Sequence, residues 1–314
     1  MLPPLITLIA TAGGNADLRD TLRSLAACDL PEGYRKTIVI ENGGRQGAEE
    51  IVTETQGEHP HLACEYQFAE RPNKSNALNE CLATLDENFL LFMTDDDIEF
   101  DPRVLTEFSE AARESGEHVV YGGMLKVRST GEAPEELQEF LPISATGFPR
   151  REYRDGQDFL GANWAAFAED LKAIGGFDPR FGPGSPHTAT GQESEMMRQL
   201  RRRGMRFQYV PGAVVWHQFD ASGYSLDFLS RRSFRNGVEH GQRLWLRRAE
   251  GEQTPWRWDL AKSRVYSTLL PLVTLVTQAL APKRLHARLI AALNAGRGRL
   301  EGWNALKNET QRND

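Results

Sequence analysis

Three adjacent carboxylates, Asp95, Asp96 and Asp97, follow directly on the apolar run FLLFMT at residues 89–94. Like charges crowded at the end of a buried strand repel one another, and such a cluster persists where something positive compensates it. In an extended strand end, residues two apart share a side, so Asp95 and Asp97 are expected to converge while Asp96 faces the other way. Two convergent carboxylates make a hard-oxygen site suited to Mg²⁺ or Mn²⁺, ions that keep positions open for substrate phosphates. The competing reading is a solvated acidic turn into a helix begun by DPRVLTEF, with Asp101 as N-cap and Pro102 at the first helical position. That reading accounts for Asp101 but not for the triplet. A calcium-binding EF-hand loop fits poorly, because Phe100 falls where glycine is needed and Thr106 where a bidentate glutamate belongs.

The elements that must position the triplet alternate along the first hundred residues. LITLIAT (5–11) is β-like, and residues 17–28 have helical spacing at Leu18, Leu22 and Leu25. KTIVIENGG (36–44) reads as a short strand closed by a turn, residues 74–85 as a helix and 88–94 as a buried strand. This order predicts a parallel sheet with crossover helices, whose ligands bind beyond the carboxyl ends of the strands. The chemistry is therefore expected after Thr11, Ile40 and Thr94. Further on, VVYGGMLKV and RFQYVPGAVVWH read as strands. A Gly/Pro-rich loop precedes the helix QESEMMRQLRRRG, which Gly204 closes. Beyond His217 the pattern turns helical.

Composition bounds the class. The 314 residues are 40% hydrophobic and 26% charged, as in soluble globular chains. Cys28, Cys64 and Cys81 form no CxxC or Cys/His cluster, so neither a disulfide framework nor a zinc site is expected. The opening MLPPLITLIATAGG lacks a basic n-region and reads as a first strand rather than a signal peptide, which favours a cytoplasmic location. Charge is divided unevenly: residues 231–314 hold 16 Lys+Arg against 7 Asp+Glu, and residues 1–230 hold 21 against 37. The acidic body disfavours nucleic acid as a partner. The basic end suits the anionic inner face of a membrane, a second subunit, or simply a solvated helical face. Residues 265–282 carry no charge and read three ways: packed helix, interfacial segment or spanning helix. Two regions are expected, 1–217 and a basic helical 218–314.

The ordered motifs of residues 5–217 resemble those of family 2 glycosyltransferases. ITLIATAGGNADLRDTLRSL is similar to that family's first strand, nucleotide loop and first helix. TIVIENGG resembles the segment whose acidic residue contacts the nucleotide base, with Glu41 in place of the commoner Asp. RPNKSNALNECL resembles the following Asn-rich turn and helix, and FMTDDDIEFDP the DxD strand. FLGANWAAFAEDLKAIGGFDPRFG resembles the acceptor-side segment, GQESEMMRQLRRRG the acidic helix, and YVPGAVVWH the closing strand. Departures are Gly13 and Gly14 in the nucleotide loop, Ser75 where Gly is common, and Gln192-Glu193 for the usual Glu-Asp pair. A DxD phosphatase of the haloacid dehalogenase type is the runner-up for the triplet. There the motif tends to come first in the chain and to continue with Thr or Val, where this chain has Glu99.

The resemblance implies an α/β GT-A fold, a Rossmann-like and mostly parallel central sheet flanked by helices, with a C-terminal helical extension. It implies an inverting transfer of sugar from a UDP, GDP or dTDP donor to the hydroxyl of a glycan or lipid-linked acceptor. On that basis Asp97, Asp95 and His217 are expected around Mg²⁺ or Mn²⁺, and Thr11, Glu41, Lys74, Asn76, Asp95 and Asp96 around the donor. Glu193 is the expected catalytic base and Glu195 its substitute. Thr190 and Glu193 also have the spacing of a capping box, which would turn Glu193 toward its own helix. Arg198 is either a substrate contact or a surface residue, and Trp164 either core or a sugar-stacking platform. A non-catalytic nucleotide-sugar-binding protein of the same fold is the alternative to an enzyme.

Overall fold

Strand β1 (Leu5–Thr11) is buried at all seven positions, so both faces of the sheet must be covered where it runs. The computed structural model in which this is seen describes residues 2–12 and 16–313; Gly13 and Gly14 of the expected nucleotide loop lie outside the described residues. From β1 the chain alternates through α1 (Ala16–Ala26), β2 (Tyr34–Asn42), α2 (Ala48–Glu58), β3 (Cys64–Ala69), α3 (Lys74–Thr84) and β4 (Leu90–Thr94). Strands β1, β2, β3 and β4 pair in parallel, each joined to the next through a helix, as parallel pairing requires. The expected alternation is there with one further βα unit, α2 and β3, that the hydrophobic pattern did not separate. Helix α1 buries the expected Leu18, Leu22 and Leu25 against the sheet.

The rest of the sheet comes from β5 (Ile98–Phe100), β6 (Val119–Thr130), β7 (Trp164–Phe167) and β8 (Arg206–Asp220). Strand order is β3-β2-β1-β4-β7-β6-β8-β5, with antiparallel pairing of β7 to β4 and β6, and of β5 to β8. Helices α4 (Val104–Ser115), α5 (Ala168–Ala173) and α6 (Gln192–Arg202) complete this part. Helix α4 starts later than expected: Asp101 accepts from the Arg103 N–H in a turn ahead of it rather than capping it. Trp164 faces Met93 and Gly122 across its neighbouring strands, is buried, and meets Phe177 edge-on at 6.2 Å; it is a core residue. Cys28, Cys64 and Cys81 are free and buried.

The chain divides into two compact units. The first takes the chain up to Ser129 together with Pro142–Pro179 and Gln192–Phe219, and holds the sheet. The second takes Thr130–Leu141, Arg180–Gly191 and the chain from Asp220 onward, with helices α7 (Leu226–Ala249), α8 (Trp256–Leu280) and α9 (Lys283–Asn313). Helices α7 and α9 pack through glycines. A Cβ on Gly237 or Gly241 of α7, or on Gly298 or Gly302 of α9, would stand between 2.0 and 2.4 Å from a carbonyl oxygen of the facing helix. Only residues without side chains allow backbones that close. Leu244, Leu260 and Trp303 form a small core here, with Trp256 stacked on Trp303 at 5.1 Å. Among the described residues no helix is long and apolar enough to cross a membrane, which removes the spanning reading of 265–282.

Candidate active site

Strand β4 ends at buried Thr94, and the three aspartates form the turn into β5. Thr21 of α1 braces that turn: its hydroxyl donates to the Asp96 carbonyl at 2.9 Å and accepts from the Ile98 N–H at 3.0 Å. The triplet thus sits in a turn rather than at an extended strand end, and each of its carboxylates has a different partner. Asp95 accepts from Lys74 Nζ at 2.5 Å, Asp96 from Thr11 Oγ1 at 2.5 Å, and Asp97 Oδ2 faces His217 Nε2 at 3.0 Å.

Lys74 is the first residue of α3, aimed by a cap that sequence reading missed. Asn73, at φ 111°, accepts from the Ser75 and Asn76 N–H groups, and its amide donates to the Pro179 carbonyl at 2.9 Å. The Lys74 ammonium also lies 3.7 Å from Glu193 Oε1. Burial alone would push its pKa down, but the charges of Asp95 and Glu193 outweigh this and hold it above the ordinary lysine value.

Glu193, in the first turn of α6, therefore points at the same ammonium as Asp95. Gly161 makes room for it, since a Cβ there would stand 2.4 Å from Glu193 Oε1. Thr190, the capping-box partner proposed from spacing, gives its hydroxyl to Glu239. Glu195 is fully buried and held by Arg198 through two hydrogen bonds of 2.7 and 3.0 Å, with Gln199 donating as well. That pairing occupies both residues structurally and leaves Glu193 as the carboxylate turned to the site.

His217 reaches Asp97 because β8 runs antiparallel to β5 with His217 opposite Ile98. Its Nδ1 lies 3.0 Å from the Ser144 carbonyl. A carbonyl can only accept, so Nδ1 carries the proton and Nε2 is the atom presented to Asp97. Burial pulls the imidazole pKa down, but the hydrogen bond and charge of Asp97, with the charge of Asp95, raise it overall. The Asp96 carboxyl is raised by burial, eased by the Thr11 hydrogen bond, then raised further by Asp97 and Asp95. Asp95, Asp96, Asp97 and Glu193 thus stand near Lys74 and His217.

Two expected donor residues have other partners. Glu41 lies beside Thr11 in the β1–β2 register, but it is fully buried, and its carboxylate accepts from the Gln46 N–H and the Tyr66 hydroxyl, both at 2.6 Å. The Asn76 amide donates to the Pro72 carbonyl at 3.1 Å. A cavity of about 600 Å³ borders Asp97 and is lined by Asp17, Thr21, Glu99, Arg128 and Trp216; Lys74 and Glu193 line a separate small cleft with Thr94 and Gly161.

Among the described residues no three His, Cys, Asp or Glu side chains form a ready-made metal cage. A Mg²⁺-type ion does not need one, because it binds through one or two carboxylates and completes its shell with water and phosphate oxygens. Asp97 fits that demand: its Oδ1 is buried without a hydrogen-bond partner, and the Nε2 of His217 faces its other oxygen. The histidine's contact to a backbone carbonyl is the kind of support metal-binding imidazoles use.

Comparison with known proteins identifies the family and the fold. The family model described as "Glycosyltransferase like family 2" matches residues 3–238. The succinoglycan biosynthesis protein ExoM of Rhizobium meliloti (strain 1021) is 30% identical over 295 residues, spanning 89% of this chain and 87% of that one. Among solved structures, the mannosyltransferase PcManGT from Pyrobaculum calidifontis, in complex with GDP-Man and Mn²⁺, superposes with a TM-score of 0.58 at 17% identity. That match covers 96% of this chain and 87% of PcManGT. GalNAc-T7 with UDP, GalNAc and Mn²⁺ gives 0.53 at 13% identity, over 77% of this chain and 50% of its own. These likenesses establish the GT-A fold. The family match covers well over half the sequence, and the chain belongs to the family 2-like glycosyltransferases.

Proposed function

We propose that the protein moves a sugar, with inversion, from a nucleoside-diphosphate donor to a hydroxyl of a glycan or lipid-linked acceptor in the synthesis of a cell-envelope glycan or polysaccharide. The observation that carries this reading is the convergence of the triplet, Lys74, Glu193 and His217 beyond the parallel strands, where donors bind in such sheets. The biosynthetic setting is supported by ExoM, and a nucleoside-diphosphate donor by the GDP-Man and UDP of the neighbouring structures. The work would be done in the cytoplasm, at the inner face of the membrane.

In a single displacement the bond from the anomeric carbon to the diphosphate oxygen breaks as the bond to the acceptor oxygen forms on the opposite face. Glu193 takes the acceptor's hydroxyl proton, and the electron pair leaves with the nucleoside diphosphate. Asp97, His217 and Asp95 would hold Mg²⁺ or Mn²⁺, which supplies Lewis-acid stabilisation of the leaving diphosphate. Lys74 fixes Asp95 and Glu193 relative to each other, so that donor and base share one frame. Thr11 holds Asp96 through its hydroxyl.

The test is turnover of UDP-, GDP- and dTDP-sugars with Mn²⁺, read as released nucleoside diphosphate. One donor class should turn over slowly even with water as acceptor, and Glu193→Gln should reduce transfer while donor binding persists. Release of inorganic phosphate instead would revive the phosphatase reading, and binding without turnover of any donor would leave a non-catalytic protein.

A further inference from the structure

The C-terminal part of helix α8 presents an exposed apolar face. Val265, Leu269, Leu272, Val276 and Leu280 recur every three or four residues, so they form one stripe along the helix, with Val273 and Leu275 beside it. These seven side chains are between 41% and 82% exposed. At 1.5 Å per residue the stripe is about 22 Å long. Water-exposed leucines and valines in such a row are unfavourable unless a partner takes them up.

Charge identifies the partner. From residue 260 to residue 300 the chain has seven Lys or Arg and no Asp or Glu. Lys262 and Arg264 precede the stripe; Lys283, Arg284 and Arg288 follow it on α9. Arg284 and Arg288 both bind Glu139, and Lys283 lies 3.8 Å from Glu136, so two carboxylates offset two of the three cations at that end, one positive charge remains there, and Lys262 and Arg264 stand at the other. Between the basic ends, the polar residues beside the stripe are Ser, Thr and Gln. A helix pairing with a second copy would use charged flanking positions to fix its register, and this one has none there. An anionic bilayer needs only what is present, an apolar stripe with cations at both ends. The segment is too short and too interrupted to span, with Pro271 inside the helix.

We infer that α8 lies in the plane of an anionic lipid surface, its stripe among the acyl chains and its flanking lysines and arginines at the headgroups. The inference rests on the transferase reading only for its consequence, that the acceptor is an amphiphile presented at that surface.

Flotation of the full-length protein with vesicles separates the outcomes. Phosphatidylcholine vesicles with about a third phosphatidylglycerol should bind the wild type, pure phosphatidylcholine should bind it weakly, and high salt should weaken the anionic case. The double variant Leu272→Glu/Val276→Glu should lose tenfold or more of the binding, and Lys262→Glu/Arg264→Glu should lose a smaller share. The altered side chains are exposed, and circular dichroism checks that the helices persist. Equal binding by the stripe variant, or no wild-type binding to either vesicle, would overturn the inference. So would a wild-type dimer by light scattering that the stripe variant converts to monomer. Nucleotide binding by the same variants reads the transferase proposal separately, since none of these residues lies in the donor site.

Discussion

The sheet unit and the helical unit treat apolar surface in opposite ways. Strands β1 and β4 are buried at every position, and among the described residues the large exposed hydrophobics all lie on α7, α8 and α9. Charge runs the other way: the sheet unit gathers carboxylates around Lys74 and His217, while residues 260–300 carry only cations. One region buries its apolar residues to hold a few charges within hydrogen-bond reach of one another. The other leaves apolar residues outside, as the proposed lipid contact requires. The same composition rule, hydrophobic inside, therefore has predictive force in the first unit and fails informatively in the second.

Changes that break one unit and spare the other sharpen this contrast. The largest effect is expected for Glu193→Gln, with transfer reduced about 10²- to 10⁴-fold, the range for loss of a general base, and vesicle binding unchanged. Next comes Gly241→Leu, whose Cβ would stand 2.1 Å from the Arg299 carbonyl oxygen. It should destabilise the α7–α9 pair by about 3 kcal/mol in denaturant unfolding, with loss of vesicle binding. Thr21→Val removes the hydroxyl that braces the aspartate turn and orphans two backbone groups; about 1–3 kcal/mol of stability should go, together with nucleotide affinity. The smallest effect belongs to Leu272→Glu, which should change folding stability by no more than about 0.5 kcal/mol while it weakens vesicle binding. A large folding defect there would mean that the stripe is packed against protein in solution.

The sequence made most of the sheet unit legible because its strands are continuous apolar runs. LITLIAT is β1 residue for residue, and KSNALNECLAT is α3. Strand β3 was invisible since CEYQFA buries only its two ends, and α2 since its buried face is only Ala48, Ile51, Val52 and Thr55. Residue types at the site could be read, but directions could not. The triplet is a turn rather than an extended end, so each carboxylate meets a different partner; Glu41 is turned to Gln46 and Tyr66 by a loop whose path no spacing encodes. Asn73, Thr21 and Gly161 escaped notice because they act on backbone geometry or by absence of a side chain. The two inserts, Thr130–Leu141 and Arg180–Gly191, group with the distant helices through contacts far apart in sequence, which a single cut along the chain cannot express.

The central claim is that Asp97 and its neighbours form a metal-assisted nucleoside-diphosphate site. Calorimetric titration of UDP, GDP and dTDP into the wild type and Asp97→Asn, with and without Mn²⁺, tests it most directly. One nucleotide should bind with Mn²⁺ present, and its affinity should fall by about tenfold or more, some 1.4 kcal/mol, when either Mn²⁺ or the Asp97 carboxylate is removed. Absence of binding by all three nucleotides, or equal metal-dependent affinity in Asp97→Asn, would contradict the account.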